Sequence, residues 1–130
     1  GSKTNLDKVK EEVGRKNWSS FTFFDEDIRN RKICSRLCSK ADYVLHQAAL
    51  GSVPRSIKDP QLTHDINVNG FISILDAVKE AQCKRLIFAS SSSVYGDDRS
   101  LPKNESIVGD PLSPYATTKK INEIFIRSLW

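Results

Sequence analysis

Tyr115 and Lys119 stand four residues apart near the C-terminal end of the sequence, and four consecutive serines occupy positions 90–93. On a helix, residues i and i+4 share a face, so the Lys119 ammonium can lie beside the Tyr115 phenol and favour its ionised form. A phenol titrates near pH 10 in water, so acting as a base near pH 7 requires roughly 4 kcal/mol of preferential stabilisation of the phenolate. Tyr115 is therefore a candidate general base, although this pair alone is also typical of a solvated helix face.

The segment before the serines predicts the element that positions them. Residues 84–90 read Lys-Arg-Leu-Ile-Phe-Ala-Ser, a short apolar run that ends in small hydroxyl residues and is typical of a buried parallel strand. In open α/β sheets, ligands bind at the carboxyl ends of the strands. The serines fall at that end, so the sequence predicts that they line a ligand site.

Hydrophobic periodicity predicts helices and strands in alternation. A helix is expected over residues 6–14, ended by Gly14, and further helices over 30–39, 60–82 and 113–130. Asp59-Pro60 is a typical helix start, and the stretch around Gly51 and Pro54 reads as a loop. Strands are expected at 21–24, 43–48 and 86–89.

Two further stretches extend the pattern. Residues 42–56 read Asp-Tyr-Val-Leu-His-Gln-Ala-Ala-Leu-Gly-Ser-Val-Pro-Arg-Ser, and residues 67–70 read Asn-Val-Asn-Gly. The serines continue into Val94-Tyr95-Gly96, and Ser113-Pro114 precedes Tyr115. With these motifs the chain, from Leu6 onward, resembles the extended short-chain dehydrogenase/reductase family of nucleotide-sugar epimerases and dehydratases. Within that family it resembles the UDP-N-acetylglucosamine 4-epimerases.

The resemblance implies an α/β fold built as a partial doubly wound, Rossmann-like parallel sheet, with three strands and about four helices. It also implies NAD as the cofactor and Tyr115, Lys119 and Ser91 as the catalytic residues. Tyr115 would take the proton from the sugar 4-hydroxyl while hydride leaves C4 for NAD. Lys119 would assist Tyr115 and hydrogen-bond the nicotinamide ribose, and Ser91 would bridge the sugar hydroxyl and Tyr115.

The same resemblance implies a cofactor site assembled from distant segments. Asp27 would accept a hydrogen bond from the exocyclic amine of adenine, and Ile28 would pack on its ring. Small side chains at 48–50 would let the backbone approach the cofactor. Asn67 would orient the active-site strand, or serve only as a hydrogen-bonding residue in a helix bend. The implied cofactor-binding residues are Asp27, Ile28, Ala48, Ala49, Leu50, Asn67, Ser90, Tyr115 and Lys119.

The implied substrate is a UDP-N-acetylhexosamine, epimerised at C4 through a 4-keto intermediate. A glycine at position 51 leaves room for an N-acetyl group. The related 4,6-dehydratases carry acidic residues after the first hydroxyl, which Ser92 and Ser93 do not supply. UDP-glucuronate 4-epimerases share a similar serine stretch and remain an alternative. The implied substrate-binding residues are Gly51, Ser52, Ser91, Ser93 and Tyr115.

The glycine-rich turn that holds the pyrophosphate in dinucleotide-binding domains is missing from the sequence. The resemblance therefore covers the central part of an epimerase. Gly1-Ser2 reads as a tag scar, and residues 3–130 as part of an NAD-binding domain without its C-terminal substrate domain. In the strand order 3-2-1-4-5, the strand at 21–24 would lie apart from the strand at 43–48. Exposed strand edges favour self-association, so a homo-oligomer is expected.

Composition bounds the remaining function classes. The chain has 130 residues, of which 38% are hydrophobic, which predicts one modest core. The net charge of +4 suits an anionic nucleotide-sugar, while the basic residues lack the aromatic interleaving of a nucleic-acid groove. No apolar run is long enough for a bilayer and no signal peptide is visible, so we expect a cytoplasmic protein without nucleic-acid or membrane partners.

The cysteines and histidines predict no metal site. Cys34 and Cys38 lie one helical turn apart, but no Cys-x-x-Cys pair or histidine cluster completes a ligand set with Cys83. Reduced structural thiols are the interpretation. His46 reads as a core histidine and His64 as an exposed one.

Two functions from different classes remain. The first is the catalytic segment of a UDP-N-acetylhexosamine 4-epimerase that is active only in its full-length context. The second is an inactive α/β fragment that associates only with itself or with a complementary fragment. The motifs favour the first for the parent protein. Loss of the phosphate loop favours the second for the chain alone, because charge-assisted hydrogen bonds contribute about 1.5 to 3 kcal/mol each.

Overall fold

The computed structural model of the chain describes residues 2–129, which form six α-helices and two β-strands. The elements are α1 (Lys3–Trp18), α2 (Arg31–Cys38), β1 (Tyr43–His46), α3 (Val53–Lys58), α4 (Pro60–His64), α5 (Gly70–Glu80), β2 (Arg85–Phe88) and α6 (Pro114–Leu129), with a π-helical turn over Asp65–Asn69 and a 3-10 turn over Ser92–Tyr95. Both strands lie in one parallel sheet, which confirms the α/β, Rossmann-like class.

The sheet has one covered face and one bare face. β1 and β2 pair in register, with His46 opposite Phe88. Because side chains alternate between the faces of a strand, every second residue points toward the helices. His46 and Phe88 each stack on Phe71 of α5, with ring centroids 5.4 Å apart. On the other face, Tyr43 is 63% exposed and Leu45 is 67% exposed.

The main core lies between α2, α5 and the covered face of the sheet. It is centred on Cys34 and Cys38 of α2 and on Ala77 and Val78 of α5, all of which are buried. The cysteines are free, and burial raises the pKa of the Cys38 thiol to about 11. The thiolate is therefore disfavoured, and these side chains act as small apolar residues of the core.

The strand predicted at 21–24 is wrong: the segment is irregular and the described sheet has two strands instead of three. Aromatic residues favour a strand only where a neighbouring strand satisfies the backbone and packs against the side chains. No such neighbour is present in residues 2–129. Phe21 instead stacks on Trp18 at 4.7 Å between ring centroids, and Phe23 and Phe24 stay about half exposed.

The helices are more numerous than the four predicted, because one predicted loop is helical and one predicted helix is divided. The stretch at 53–58 forms α3, since Ser52 accepts a hydrogen bond from the Arg55 amide and proline is tolerated in a first helical turn. The predicted helix over 60–82 begins at Pro60 as expected but is interrupted by the π-turn. Gly14 breaks α1 with a φ of 73°, yet the helix resumes to Trp18.

The remaining predicted elements are confirmed with small changes in length. α2 is capped by Asn30, whose side chain accepts from the Ile33 amide, and both strands end earlier than the pattern predicts. Within residues 2–129, no helix combines the length and the apolar character that a membrane crossing needs.

His46 is expected to make stability depend on pH. Its side chain is 6% exposed, and burial, with the nearby Lys119 charge, lowers its pKa to about 4. Between pH 6.5 and 4 the unfolded chain binds a proton that the folded chain does not. The free energy of unfolding therefore decreases as the pH is lowered through this range, by up to about 3 kcal/mol. Urea unfolding at a series of pH values measures this slope. His46→Gln should flatten it, whereas the same change at exposed His64 should leave it unchanged; equal slopes in all three proteins would refute the assignment.

Gly96 is expected to tolerate no side chain. It ends the 3-10 turn at φ 59° and ψ −130°, and a Cβ there would lie 2.0 Å from the Asp110 carbonyl oxygen. Gly96→Ala should therefore lower the free energy of unfolding by roughly 2–4 kcal/mol, through backbone strain and overpacking. Gly51→Ala is the control, since open space surrounds its Cβ position to 4 Å. Comparable midpoints of chemical unfolding for the two variants would contradict this account.

Candidate active site

Helix α6 presents Tyr115, Lys119 and Glu123 on one face, because these residues are spaced by four. Ser113 fixes the start of the helix: its side chain accepts from the Ala116 amide at 3.1 Å. Tyr115 is half-buried, and its hydroxyl makes no hydrogen bond to another residue in the range 2–129. The helix therefore carries the Tyr115 phenol and the Lys119 side chain on one face.

Lys119 is buried at the carboxyl end of β2. Its side chain is 3% exposed, and its Nζ donates to the Ala89 carbonyl oxygen at 2.8 Å. Burial lowers the pKa of Lys119, because the charged form is poorly solvated. The Lys119 charge also contributes to the lowered pKa of His46 at the end of β1. The ammonium thus lies near the carboxyl ends of both strands, where a parallel sheet binds ligands.

The predicted serines form the loop that follows β2. Ser91 caps the 3-10 turn, accepting from the Ser93 amide at 3.2 Å, and its hydroxyl lies 3.2 Å from that of Ser93. Ser90 donates to the Glu123 carboxylate at 2.5 Å. A groove of about 490 Å³, here called the serine groove, is lined by Ser90, Ser91, Ser92, Val94, Tyr95, Glu105, Val108, Glu123 and Arg127.

A second groove brings together the residues predicted to bind adenine. This groove of about 600 Å³, here called the Asp27 groove, is lined by Asp25, Glu26, Asp27, Ile28, Ala48, Ala49, Leu50 and Ile66. Arg29 binds the Asp27 carboxylate through Nε and Nη2 and donates from Nη1 to Asp65 at 2.7 Å. Hydrogen bonds from Arg29 lower the pKa of Asp27, so its carboxylate is an anion at neutral pH.

Asn67 connects this groove to α6. Its side-chain Oδ1 accepts from the Leu50 amide at 2.7 Å, and its Nδ2 donates to the Leu50 carbonyl at 3.2 Å and to the Thr118 hydroxyl at 3.2 Å. Asn122 of α6 donates to the Asn67 carbonyl at 3.0 Å. Asn67 is 2% exposed, so the structure places it behind the groove wall, joining the loop after β1 to the helix that carries Tyr115 and Lys119.

The structure does not bring every predicted substrate residue to a groove. Gly51 is exposed, and Ser52 uses its side chain to cap α3. In residues 2–129, neither these two residues nor Ser93 and Tyr115 line the serine groove or the Asp27 groove.

Three residues with clear contacts in the site were not singled out from the sequence. Arg29 fixes the Asp27 carboxylate, Asn122 holds the π-turn, and Glu123 holds Ser90. The spacing of four from Lys119 to Glu123 extends the stripe that begins at Tyr115 and could have identified Glu123. No pattern in the sequence marks Asn122, because its partner lies in a π-turn.

A family model described as GDP-mannose 4,6 dehydratase matches residues 1–130. The chain belongs to this family. The broader resemblance to the extended short-chain dehydrogenase/reductases is thereby confirmed, and the named relatives include epimerases as well as dehydratases.

Several curated and solved relatives are nucleotide-sugar epimerases. A UDP-glucose 4-epimerase of Lactobacillus helveticus is 39% identical over 103 residues, which are 78% of this chain and 31% of that protein. A solved UDP-N-acetylglucosamine 4-epimerase of Methanobrevibacter ruminantium M1, in complex with UDP-N-acetylmuramic acid, has a TM-score of 0.83 at 34% identity, covering 92% of this chain and 38% of that one. A Bifidobacterium longum UDP-glucose 4-epimerase, in complex with NAD+ and UDP, has a TM-score of 0.90 at 29% identity, covering 99% and 38%. This member of the family thus spans about a third of the length of these relatives.

Asn67→Ala is expected to separate the two halves of the site. It would leave the Leu50 amide and the Leu50 carbonyl without their side-chain partner, at a cost of about 1–3 kcal/mol for each unsatisfied group, while the Thr118 hydroxyl would keep its bond to the Tyr115 carbonyl. The free energy of unfolding and the hydrogen-exchange rate of the Leu50 amide both report the loss. Asn69→Ala is the control on the same π-turn, because Asn69 is exposed and its side chain donates to the surface carboxylate of Asp65. Equal hydrogen-exchange rates of the Leu50 amide in the two variants would show that Asn67 does not hold the loop after β1 in place.

Proposed function

We propose that this chain is the cofactor-binding and catalytic part of an NAD-dependent UDP-N-acetylhexosamine 4-epimerase. Residues 3–130 form part of the NAD-binding domain, and Gly1-Ser2 is a tag scar. The observation that carries the proposal is the buried Lys119 ammonium on the Ala89 carbonyl, one helical turn from Tyr115. It supports an active site at the carboxyl end of β2.

The Asp27 groove fits the adenosine half of NAD. The Asp27 carboxylate, whose orientation Arg29 fixes, is the acceptor for the adenine exocyclic amine, and Ile28 offers an apolar surface to the ring. Ala48 and Ala49 are exposed and carry no bulk that would keep a cofactor from the backbone. The family resemblance implies the same role for residues that line this groove. The Bifidobacterium longum relative was solved with NAD+.

The catalytic residues divide the work of oxidising the sugar at C4. Bound NAD supplies the acceptor for the C4 hydride. Tyr115 removes the proton from the 4-hydroxyl, and the Lys119 charge favours the phenolate, because a charge in a poorly solvated site acts more strongly than one in water. Ser91 bridges the sugar hydroxyl and Tyr115, and Ser93 also faces the substrate. The 4-keto sugar then turns over and regains hydride on its other face.

The preference for an N-acetyl sugar depends on position 51. Gly51 lies in open space, so its missing side chain leaves volume for an N-acetyl group, and Ser52 follows it. The Methanobrevibacter relative named for UDP-N-acetylglucosamine favours this reading. UDP-glucose is the second candidate substrate, since the Lactobacillus relative is named for it. UDP-glucuronate is the third.

The bare face of the sheet supports a homo-oligomer as the working form. Tyr43, Leu45 and Ile87 are each more than half exposed, and contiguous apolar patches of this kind mark interaction surfaces. Sedimentation of the 130-residue chain as a single monomer would remove this part of the proposal.

Nuclear magnetic resonance titration of the 130-residue chain with NAD tests the proposal. We expect saturable shifts of the amides at 27–28 and 48–50, with a Kd weaker than that of a complete dinucleotide site because charge-assisted pyrophosphate contacts are lacking. Asp27→Ala should abolish these shifts. Asp25→Ala is the matched control, since Asp25 lines the same groove but bonds to Lys3 on the surface. Absence of shifts at millimolar NAD would overturn the proposal for this chain.

A further inference from the structure

Two side chains of α6 hold the two residues that directly follow β2. Lys119 Nζ donates to the Ala89 carbonyl at 2.8 Å, and one turn later Glu123 Oε1 accepts from the Ser90 hydroxyl at 2.5 Å. Lys119 and Glu123 therefore hold two successive residues directly after β2. Tyr115 lies one turn earlier on the same face of the helix.

The residues after Ala89 are held by side chains, because the backbone hydrogen bonds of the sheet end at Ala89. β2 ends at Phe88, and the last backbone bond between the strands joins the Ala89 amide to the His46 carbonyl at 3.0 Å. Beyond it, Ser90 is held by Glu123, and Ser91 follows directly as the cap of the 3-10 turn. Glu123 thereby holds Ser90, the residue before Ser91, while the Ser91 hydroxyl itself contacts Ser93.

Glu123 is suited to this task by its surroundings. It is half-buried, and a hydrogen bond that a carboxylate accepts is stronger than one between neutral groups. Arg127 lines the same groove one turn further along α6, but no ion pair joins it to Glu123 within residues 2–129. The carboxylate remains directed to Ser90.

We infer that Glu123 is a positioning residue, which anchors Ser90 so that Ser91 keeps one side-chain orientation for the epimerase reaction proposed above. The inference rests on that proposed function only for the role of Ser91. The anchoring itself is a property of the chain, so it can be measured without cofactor or substrate.

The test compares Glu123→Gln, Glu123→Ala and Ser90→Ala in the 130-residue chain. Three-bond couplings report the χ1 rotamer of Ser91, and amide exchange reports opening of residues 91–94. Glutamine keeps an acceptor oxygen for Ser90, so Glu123→Gln should retain one Ser91 rotamer. Each alanine variant should show averaged couplings, with opening increased roughly tenfold, as expected for loss of one such hydrogen bond.

Glu80→Ala supplies a matched control, because the chain contains the same pair elsewhere: Ser35 donates to Glu80 at 3.4 Å between α2 and α5. This change should leave the Ser91 couplings unaltered. A single Ser91 rotamer in Glu123→Ala, or averaging in Glu80→Ala as well, would overturn the inference. NAD titration of the unmodified chain is a separate readout. If that chain binds no NAD while Glu123→Ala still loses the single Ser91 rotamer, the proposed function is refuted and the role of Glu123 in holding Ser90 is retained.

Discussion

The buried side-chain amide of Asn67 is the interaction on which the arrangement of the site depends. It pairs with both backbone groups of Leu50 and with the Thr118 hydroxyl, and thereby joins the loop after β1, the π-turn and α6. These three segments are far apart in sequence and contribute different parts of the site. An amide side chain can do this because it donates and accepts at once, which no apolar residue of similar volume can.

Electrostatics adds a second constraint around the strand ends. The Lys119 ammonium is buried, and its desolvation is offset in part by the Ala89 carbonyl that accepts from it. His46 stacks on Phe71, and burial together with the Lys119 charge keeps its imidazole neutral. Lys119 is therefore the cation of this pair. The Asp27 carboxylate is matched by Arg29 on the surface. Each of these two charges is thus held by a partner of its own, Lys119 by a backbone carbonyl and Asp27 by a guanidinium.

Sequence reasoning predicted the elements whose signals are local. The helix over 30–39, the start at Pro60 and the stripe of Tyr115 and Lys119 each follow from residues within one or two turns. The failures come from interactions between distant residues. The strand at 21–24 needs a neighbour that residues 2–129 do not contain, and the contacts of Asn122 exist only because α6 crosses the π-turn. Asp27 and Ala48–Leu50, which the family resemblance groups together, line one groove, and periodicity alone could not indicate this.

The π-turn also takes up a residue that a regular α-helix would not hold. An α-helix turns by about 100° per residue, so one additional residue in a regular helix would rotate every later position around the axis. The wider turn over Asp65–Asn69 accommodates such a residue locally. Phe71, Leu75 and Val78 therefore stay on the core face, where they are at most 1% exposed. The helical segment can thus change its length by one residue at this turn without turning its apolar side chains away from the core.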